Sequence, residues 1–395
     1  MTPISKIIIM RKFQICRYCQ KYLCIIQLAS MCFLLTLSLF CFTNMFFLIQ
    51  HQFSIKSTSV NNNFETKTSI CVPQKNIVFL KVHKTGSTTV MNILQRYGII
   101  NNLNFVLPKN GHYLGKTETL MENKILPPPQ NESYNILCNH VIYNQSAFQS
   151  LLPKNMYYFT ILREPLSQFV SAFLYYRNVW KNEYLLAVPG ENFIGEYLKN
   201  PVKYESLLKN GAFSYTNNRM SYDLGLKLSD FHSEDKILKH ISVLDQGFHL
   251  VLMLEYFDIS MILLKRKLCW QMKDILYIQR NVGSSGHTPI LTAEETNRFK
   301  KWAKADYILY EHYLKVFWHK IRIEEDILSE VYHYQSLLYR TKKFCMTKNS
   351  SVLQIQASVW NKEILLLRKD CDIMLKGELE LVNALQKAYR ERLNL

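Results

Sequence analysis

The chain carries no internal repeat and no low-complexity tract, which excludes solenoid and tandem-array architectures. It also lacks an HExxH motif, a paired CxxC and any acidic cluster at ligand spacing, so nothing in it implies a metal centre. The Walker A pattern GxxxxGK[ST] is missing too, as is a Walker B-like aspartate, which argues against a phosphate kinase. Acidic residues are short: 31 stand against 48 basic ones, a formal net charge of +17. That excess favours polyanionic ligands, acidic membrane surfaces or nucleic acid without choosing among them. Charged residues are 20% of the chain and apolar ones 48%, which excludes a disordered protein. The 395 residues suffice for one large or two ordinary domains.

Residues 1–22 contain Lys6, Arg11, Lys12, Arg17 and Lys21 and no acid. Residues 23–49 are then almost wholly apolar, long enough to span a bilayer and too long for a typical signal-peptide core. No small-x-small site closes the run cleanly, which favours an uncleaved signal anchor over a cleaved leader. The positive-inside rule puts the amino terminus in the cytosol and everything after about residue 50 across the membrane, a single-pass type II arrangement. Residues 50–75 are polar and aperiodic and read as a stem. Beyond the anchor lie three sequons, at Asn131, Asn144 and Asn349, all on the expected lumenal side. Of the ten cysteines, Cys71, Cys138, Cys269, Cys345 and Cys371 follow the anchor; they suit structural disulfides in an oxidising lumen with one left over.

The most informative stretch is Asn76–Gly98, NIVFLKVHKTGSTTVMNILQRYG. Asn76–Val82 reads as a buried strand and His83–Ser87 as a small-residue turn. Val90, Ile93, Leu94 and Tyr97 fall at helical spacing, with Gly98 where a C-cap belongs. Strand, turn and helix in this order aim backbone N–H groups and a helix N-terminus at a phosphate. Further strands are expected within Tyr134–Tyr143, at Met156–Leu162 and at His249–Tyr256. Helices are expected from Pro165 onward and at Phe193–Lys199, Glu234–His240, Glu294–Phe317 and Ile323–Leu338. Alternating strands and helices predict an α/β fold with a central parallel sheet flanked by helices. The tail, Ser351–Leu395, reads as amphipathic helix packed on the domain. Arg163, at the carboxyl end of a predicted strand, and Ser171, in the second turn of the next helix, could clasp a phosphate monoester.

The order Lys84, Thr85, Gly86, Ser87, Thr88, Thr89 resembles the 5′-phosphosulfate loop of sulfotransferases that use PAPS (3′-phosphoadenosine 5′-phosphosulfate). The wording HKTGSTTV…NIL most resembles the galactose 3-O-sulfotransferases, the Golgi family of galactosylceramide sulfotransferase. The element around Arg163 and Ser171 matches the family's 3′-phosphate clasp, and Arg280 in RNVGSSG loosely resembles its late nucleotide-closing loop, although Asn281 replaces the second basic residue. The resemblance implies a P-loop-like sulfotransferase domain over residues 76–338 with a helical extension over 339–395. It implies PAPS as co-substrate, bound by Lys84–Thr89, Arg163, Ser171 and Arg280, and a galactose-terminated glycolipid or glycan as acceptor, with no nucleic-acid partner. It implies catalytic roles for His83, Lys84 and His140; which histidine takes the acceptor proton stays open. Phe213–Gly225 resembles a family stretch ending in Tyr-Asp-Leu-Gly and is placed near the acceptor. The expected setting is the Golgi membrane with the catalytic domain lumenal, and a homodimer is compatible. Two alternatives stand beside this: a sulfotransferase for another glycan such as a glycosaminoglycan, or a non-catalytic Golgi scaffold or lectin that keeps the fold.

Overall fold

A computed structural model describes residues 71–208, 213–279, 290–347 and 350–394. The expected anchor at 23–49, most of the stem, Arg280 with its loop, and the Asn349 sequon lie outside the described residues. Among the described residues no helix is long and apolar enough to cross a membrane.

Four apolar runs form one parallel sheet: β1 (Ile77–Leu80), β2 (Ile136–Leu137), β3 (Tyr157–Leu162) and β4 (Leu250–Met253), in the order β2-β1-β3-β4. Ile77 pairs with Ile136 on one side and Tyr157 on the other, and Phe159 pairs with Leu250. Both faces are covered: every residue of β1 and β4 is buried, the pattern of a strand between helical layers. Each expected strand is present. β1 leads first to β2 and then, across the sheet, to β3, so strand order reverses between β1 and β3. Ligands of open α/β sheets lie at the carboxyl ends of strands beside such a reversal.

Among the helices around the sheet are α1 (Ser87–Ile100), α2 (Pro165–Asn178), α3 (Glu234–Gly247), α4 (Phe257–Leu268), α5 (Lys304–Arg322), α6 (Ile327–Met346), α7 (Arg368–Leu375) and α8 (Glu378–Leu393). α5 packs on β4 and α3, α4 on α6, and both α7 and α8 on α1. A second apolar cluster, built from α2 and the short helices between residues 183 and 205, closes one flank. The tail departs from expectation. It is not helical throughout: β5 (Val352–Ile355) and β6 (Ile364–Leu367) form an antiparallel hairpin ahead of α7. Position 338, the expected edge of the main domain, falls inside α6.

Gly98 is not a cap. It lies inside α1, where a Cβ would stand 2.2 Å from the Phe105 ring and 2.9 Å from Ile136, so its role is close packing of α1 against the sheet. The single helix expected over Glu294–Phe317 is interrupted at Ala303, between the helix Ala293–Trp302 and α5. Two disulfides are present, Cys71–Cys269 and Cys345–Cys371, while Cys138 is free and buried.

Candidate active site

The loop between β1 and α1 is shaped by two left-handed residues, Lys84 at φ 61° and Gly86 at φ 73°. Gly86 has a second reason to lack a side chain: a Cβ would stand 2.5 Å from Leu254. It is also the N-cap of α1, with no side-chain cap and no acidic residue in the first turn. The N-terminal N–H groups of that helix therefore keep their pull on an anion. The hydroxyls of Thr85 and Ser87 both donate to the Val82 carbonyl, at 3.1 and 2.6 Å, and brace the loop from within. Thr85 is fully buried, so its side chain does not reach the site as the sequence led one to expect.

Around this loop lies a cavity of about 810 Å³. His83, Lys84, Gly86, Ser87, Thr88, Thr89, His140, Arg163 and Ser171 all face it. The four strand ends thus converge on one hollow: β1 supplies the loop, β2 leads to His140, β3 ends at Arg163, and Leu254 follows β4. Arg163 also donates to the Lys84 carbonyl at 3.3 Å, which ties the β3 corner to the loop. α2 begins with Pro165 and is capped by Glu164, whose carboxylate accepts from the N–H groups of Leu166 and Ser167. It brings Ser171 and Tyr175 to the cavity wall. The Lys84 ammonium sits 3.7 Å from the centre of the Tyr175 ring. Burial, with Arg163 and Lys81 nearby, lowers its pKa to about 8.

The two histidines differ in what their nitrogens do. His83 Nδ1 stands 2.7 Å from Asp223 Oδ2, and the His83 backbone N–H donates to the same oxygen at 2.9 Å. The Arg219 guanidinium also faces Nδ1, with Nε at 3.3 Å and Nη2 at 3.1 Å; in the tautomer that donates from Nδ1 to the Asp223 carboxylate, Nε2 keeps its lone pair. That Nε2 is buried and has no hydrogen-bond partner among the described residues. Burial is the main reason the His83 pKa lies well below the ordinary value, with the charges of Arg219, Lys81 and Lys84 adding to it. His140 stacks on His83 with ring centres 3.9 Å apart. Its Nδ1 donates to the Lys81 carbonyl at 2.9 Å, and its Nε2 accepts from the Lys81 ammonium at 2.8 Å. Both lone-pair and proton positions of His140 are therefore already used.

Several participants were not singled out by sequence. Asp223 and Arg219 come from the short helix Arg219–Asp223, inside the stretch placed near the acceptor on its Tyr-Asp-Leu-Gly element. Arg219 pairs with Asp223 at 2.8 Å and lies over the rings of Phe213, Tyr215 and Tyr222. That helix is itself held by Asp306, which accepts from the N–H groups of Met220 and Ser221 and from the Ser221 hydroxyl. Lys81 had a visible signal, a lysine ending an apolar strand run. Glu378, 2.9 Å from its ammonium, had none.

A hollow bounded by a helix N-terminus, a lysine without a carboxylate partner among the described residues, and an arginine fits an anion with more than one acidic group. Among the described residues no group of three or more His, Cys, Asp or Glu stands close enough to hold a metal ion. A buried neutral histidine backed by a carboxylate can take a proton from a hydroxyl placed beside it. A family model described as galactose-3-O-sulfotransferase matches residues 13–371. Among relatives, mouse (Mus musculus) galactose-3-O-sulfotransferase 2 is 34% identical over 257 residues, 64% of this chain and 64% of the relative. Human (Homo sapiens) galactosylceramide sulfotransferase is 34% identical over 252 residues, 64% of this chain and 59% of the relative. The bovine (Bos taurus) galactosylceramide sulfotransferase is 31% identical over 288 residues, 71% of this chain and 66% of the relative. The chain thus spans just under two thirds of the length of the first two. Because the family match runs through the sheet, the loop between β1 and α1 and both histidines, this chain belongs to the galactose-3-O-sulfotransferase family.

Proposed function

We propose that the chain transfers a sulfonate group from PAPS to the 3-hydroxyl of a terminal galactose on a glycolipid or glycan. The observation that carries this reading is the unpartnered, buried His83 Nε2 in one cavity with the loop Lys84–Thr89, Arg163 and Ser171. His83 is the base, oriented by Asp223. The acceptor O–H proton passes to His83 Nε2 as the acceptor oxygen bonds to sulfur. The S–O bond to the 5′-phosphate breaks, and the departing negative charge is stabilised by Lys84 and the N-terminal N–H groups of α1. Arg163 and Ser171 hold the 3′-phosphate. The products are a 3-O-sulfated galactoside and adenosine 3′,5′-bisphosphate, and the proton on His83 is released to solvent.

For the acceptor, the cavity rim combines Trp180, 47% exposed, with Leu379, 55% exposed. An indole beside an aliphatic rim suits a sugar joined to an apolar chain. Glu378 and Glu380 on the same wall weigh against a polyanionic acceptor such as a glycosaminoglycan. The disulfides Cys71–Cys269 and Cys345–Cys371 support an oxidising compartment, and with it the lumenal side of a Golgi membrane. Asn131 and Asn144 are exposed, as glycan carriers must be.

The test uses the full chain with radiolabelled PAPS and, side by side, galactosylceramide, a lactose-type glycan and heparan chains. Label on a galactoside that falls by about 10²–10³ in a Lys84→Ala variant is the expected result. Label on heparan alone would overturn the acceptor, and failure to bind PAPS would overturn the reaction.

A further inference from the structure

Lys81 directly follows β1, and its side chain is only 2% exposed. An ammonium that deep in a protein needs an anion beside it. Among the described residues its carboxylate partner is Glu378, at 2.9 Å. The other two directions of the ammonium are taken by His140 Nε2 at 2.8 Å and Thr88 Oγ1 at 3.5 Å. The same Glu378 oxygen accepts from the Thr88 hydroxyl at 3.2 Å. One carboxylate thus fixes a lysine, the phosphate-loop threonine and, through the lysine, His140. Lys84 is the contrast: it lies over an aromatic ring and pairs with no carboxylate among the described residues.

Glu378 opens α8, beyond residue 371 where the family match ends. It is not on a loose strap. Leu381, Val382 and Tyr389 of α8 are buried, and Gln386 donates to the carbonyls of Pro108 and Gly111 at 2.8 Å each. Arg392 donates to Asn104 Oδ1 at 3.0 Å and pairs with Glu132 at 2.5 Å. Asn92 of α1 donates to the Ile373 carbonyl at 3.1 Å, just ahead of α8. The tail is therefore docked along much of its length, and Glu378 is held where it stands.

We propose that Glu378 is the positioning residue for Lys81, so that the carboxyl-terminal helix completes the active site from outside the family-matched segment. This rests on the sulfonate-transfer reading above. Glu378 holds the ammonium beside His140 and the phosphate loop, where charge develops as the S–O bond breaks. Its own negative charge lies next to the place of an anionic donor and works against donor binding. Removing that charge has opposite effects on the two steps: the nucleotide binds more tightly, while turnover falls because Lys81 loses its aim.

The experiment compares the full chain with its Glu378→Gln and Glu378→Asp variants, using calorimetry with adenosine 3′,5′-bisphosphate and initial rates with galactosylceramide. For Glu378→Gln we expect a Kd lowered about two- to tenfold and a kcat lowered at least tenfold, with the acceptor KM unchanged. For Glu378→Asp we expect most of the lost kcat to return. A Glu378→Gln kcat within threefold of the parent overturns the inference, and so does a rise in kcat, which would make Glu378 a competing anion. Joint loss of nucleotide binding and turnover also overturns it, since that is the mark of a merely structural residue. If the Gln variant does not fold, the Asp variant decides: a kcat lowered about two- to fivefold at unchanged Kd, as a carboxylate set back by one methylene gives, supports the positioning role, and a parent-like kcat or equal loss of kcat and binding refutes it. A parent chain that transfers no sulfonate refutes the reaction itself, whereas a parent matched by Glu378→Gln refutes this inference alone.

Discussion

At the scale of single residues, the site depends on which nitrogen of His83 is free. Asp223 and Arg219 occupy Nδ1 and leave Nε2 without a partner among the described residues, whereas His140 has both nitrogens engaged by Lys81. His83→Ala is expected to lower kcat by about 10²–10⁴ with adenosine 3′,5′-bisphosphate affinity retained, read by initial rates and calorimetry. Asp223→Asn is expected to fall in the same range, because the amide lets the imidazole take the wrong tautomer. The pH profile follows from the same residues. As the proposed base, His83 would work only when neutral, and its lowered pKa is expected to move the acid limb of kcat/KM below the ordinary histidine value of 6.5. In the proposed role Lys84 would act only as a cation, and with a pKa of about 8 an alkaline limb is expected near pH 8, where rising pH removes its charge. A kcat/KM profile measured from pH 5 to 10 that stays flat through pH 8 would separate Lys84 from the donor. That His83, Lys84, His140, Arg163 and Ser171 share one cavity was legible because each sits in or beside a local motif. Lys81 was legible only in hindsight, and Asp223 only as part of a stretch, since its partner lies 140 residues away in sequence.

At the scale of elements, the sheet was legible and its attachments less so. Buried parallel strands announce themselves as unbroken aliphatic runs such as Ile77–Leu80 and Leu250–Met253. The β5–β6 hairpin went unseen because Ile364–Leu367 is equally consistent with one turn of amphipathic helix, and only pairing with Val352–Ile355 decides it. Gly98 was misread because a glycine near a helix end looks like a cap, while its real constraint is Phe105, across the turn that follows. The short helix Arg219–Asp223 matters most for function, and it is too short to hold itself in place. Asp306, on α5, does so by accepting from two backbone N–H groups and a hydroxyl at its start. Asp306→Ala strands those buried donors, at a cost of about 1–3 kcal/mol for each group left unsatisfied. A lower midpoint in chemical denaturation is expected, and kcat should fall further than the lost stability explains, because Asp223 is released from His83. Nucleotide affinity should hold, since the bonds of Asp306 go to Asn218, Met220 and Ser221 and not to the loop between β1 and α1.

At the scale of the whole molecule, two disulfides join segments that sequence gives no reason to pair, and they predict different consequences. Cys71–Cys269 closes a separation of 198 residues, and Cys345–Cys371 one of 26. By loop-closure entropy the longer bridge contributes about 5 kcal/mol and the shorter about 3 kcal/mol. The longer one ties Cys71, ahead of β1, to Cys269 at the end of α4, and neither cysteine lines the cavity. The shorter one ties α7 to the end of α6, and α7 leads within a few residues to Glu378. Stability and activity should therefore separate. Replacing Cys71 and Cys269 together by serine should give the larger drop in thermal midpoint yet leave kcat near the parent value at 25 °C. Replacing Cys345 and Cys371 should lower the midpoint less, by about 5 °C for a chain of this size. It should nonetheless lower kcat more, because the helix that presents Glu378 loses its tether while β1, α1 and Arg163 keep the nucleotide. Scanning calorimetry paired with initial rates on both double variants decides the matter. If kcat follows the thermal midpoint in the same order for the two bridges, the tail contributes only stability, and the active site ends where the sheet and its loops end.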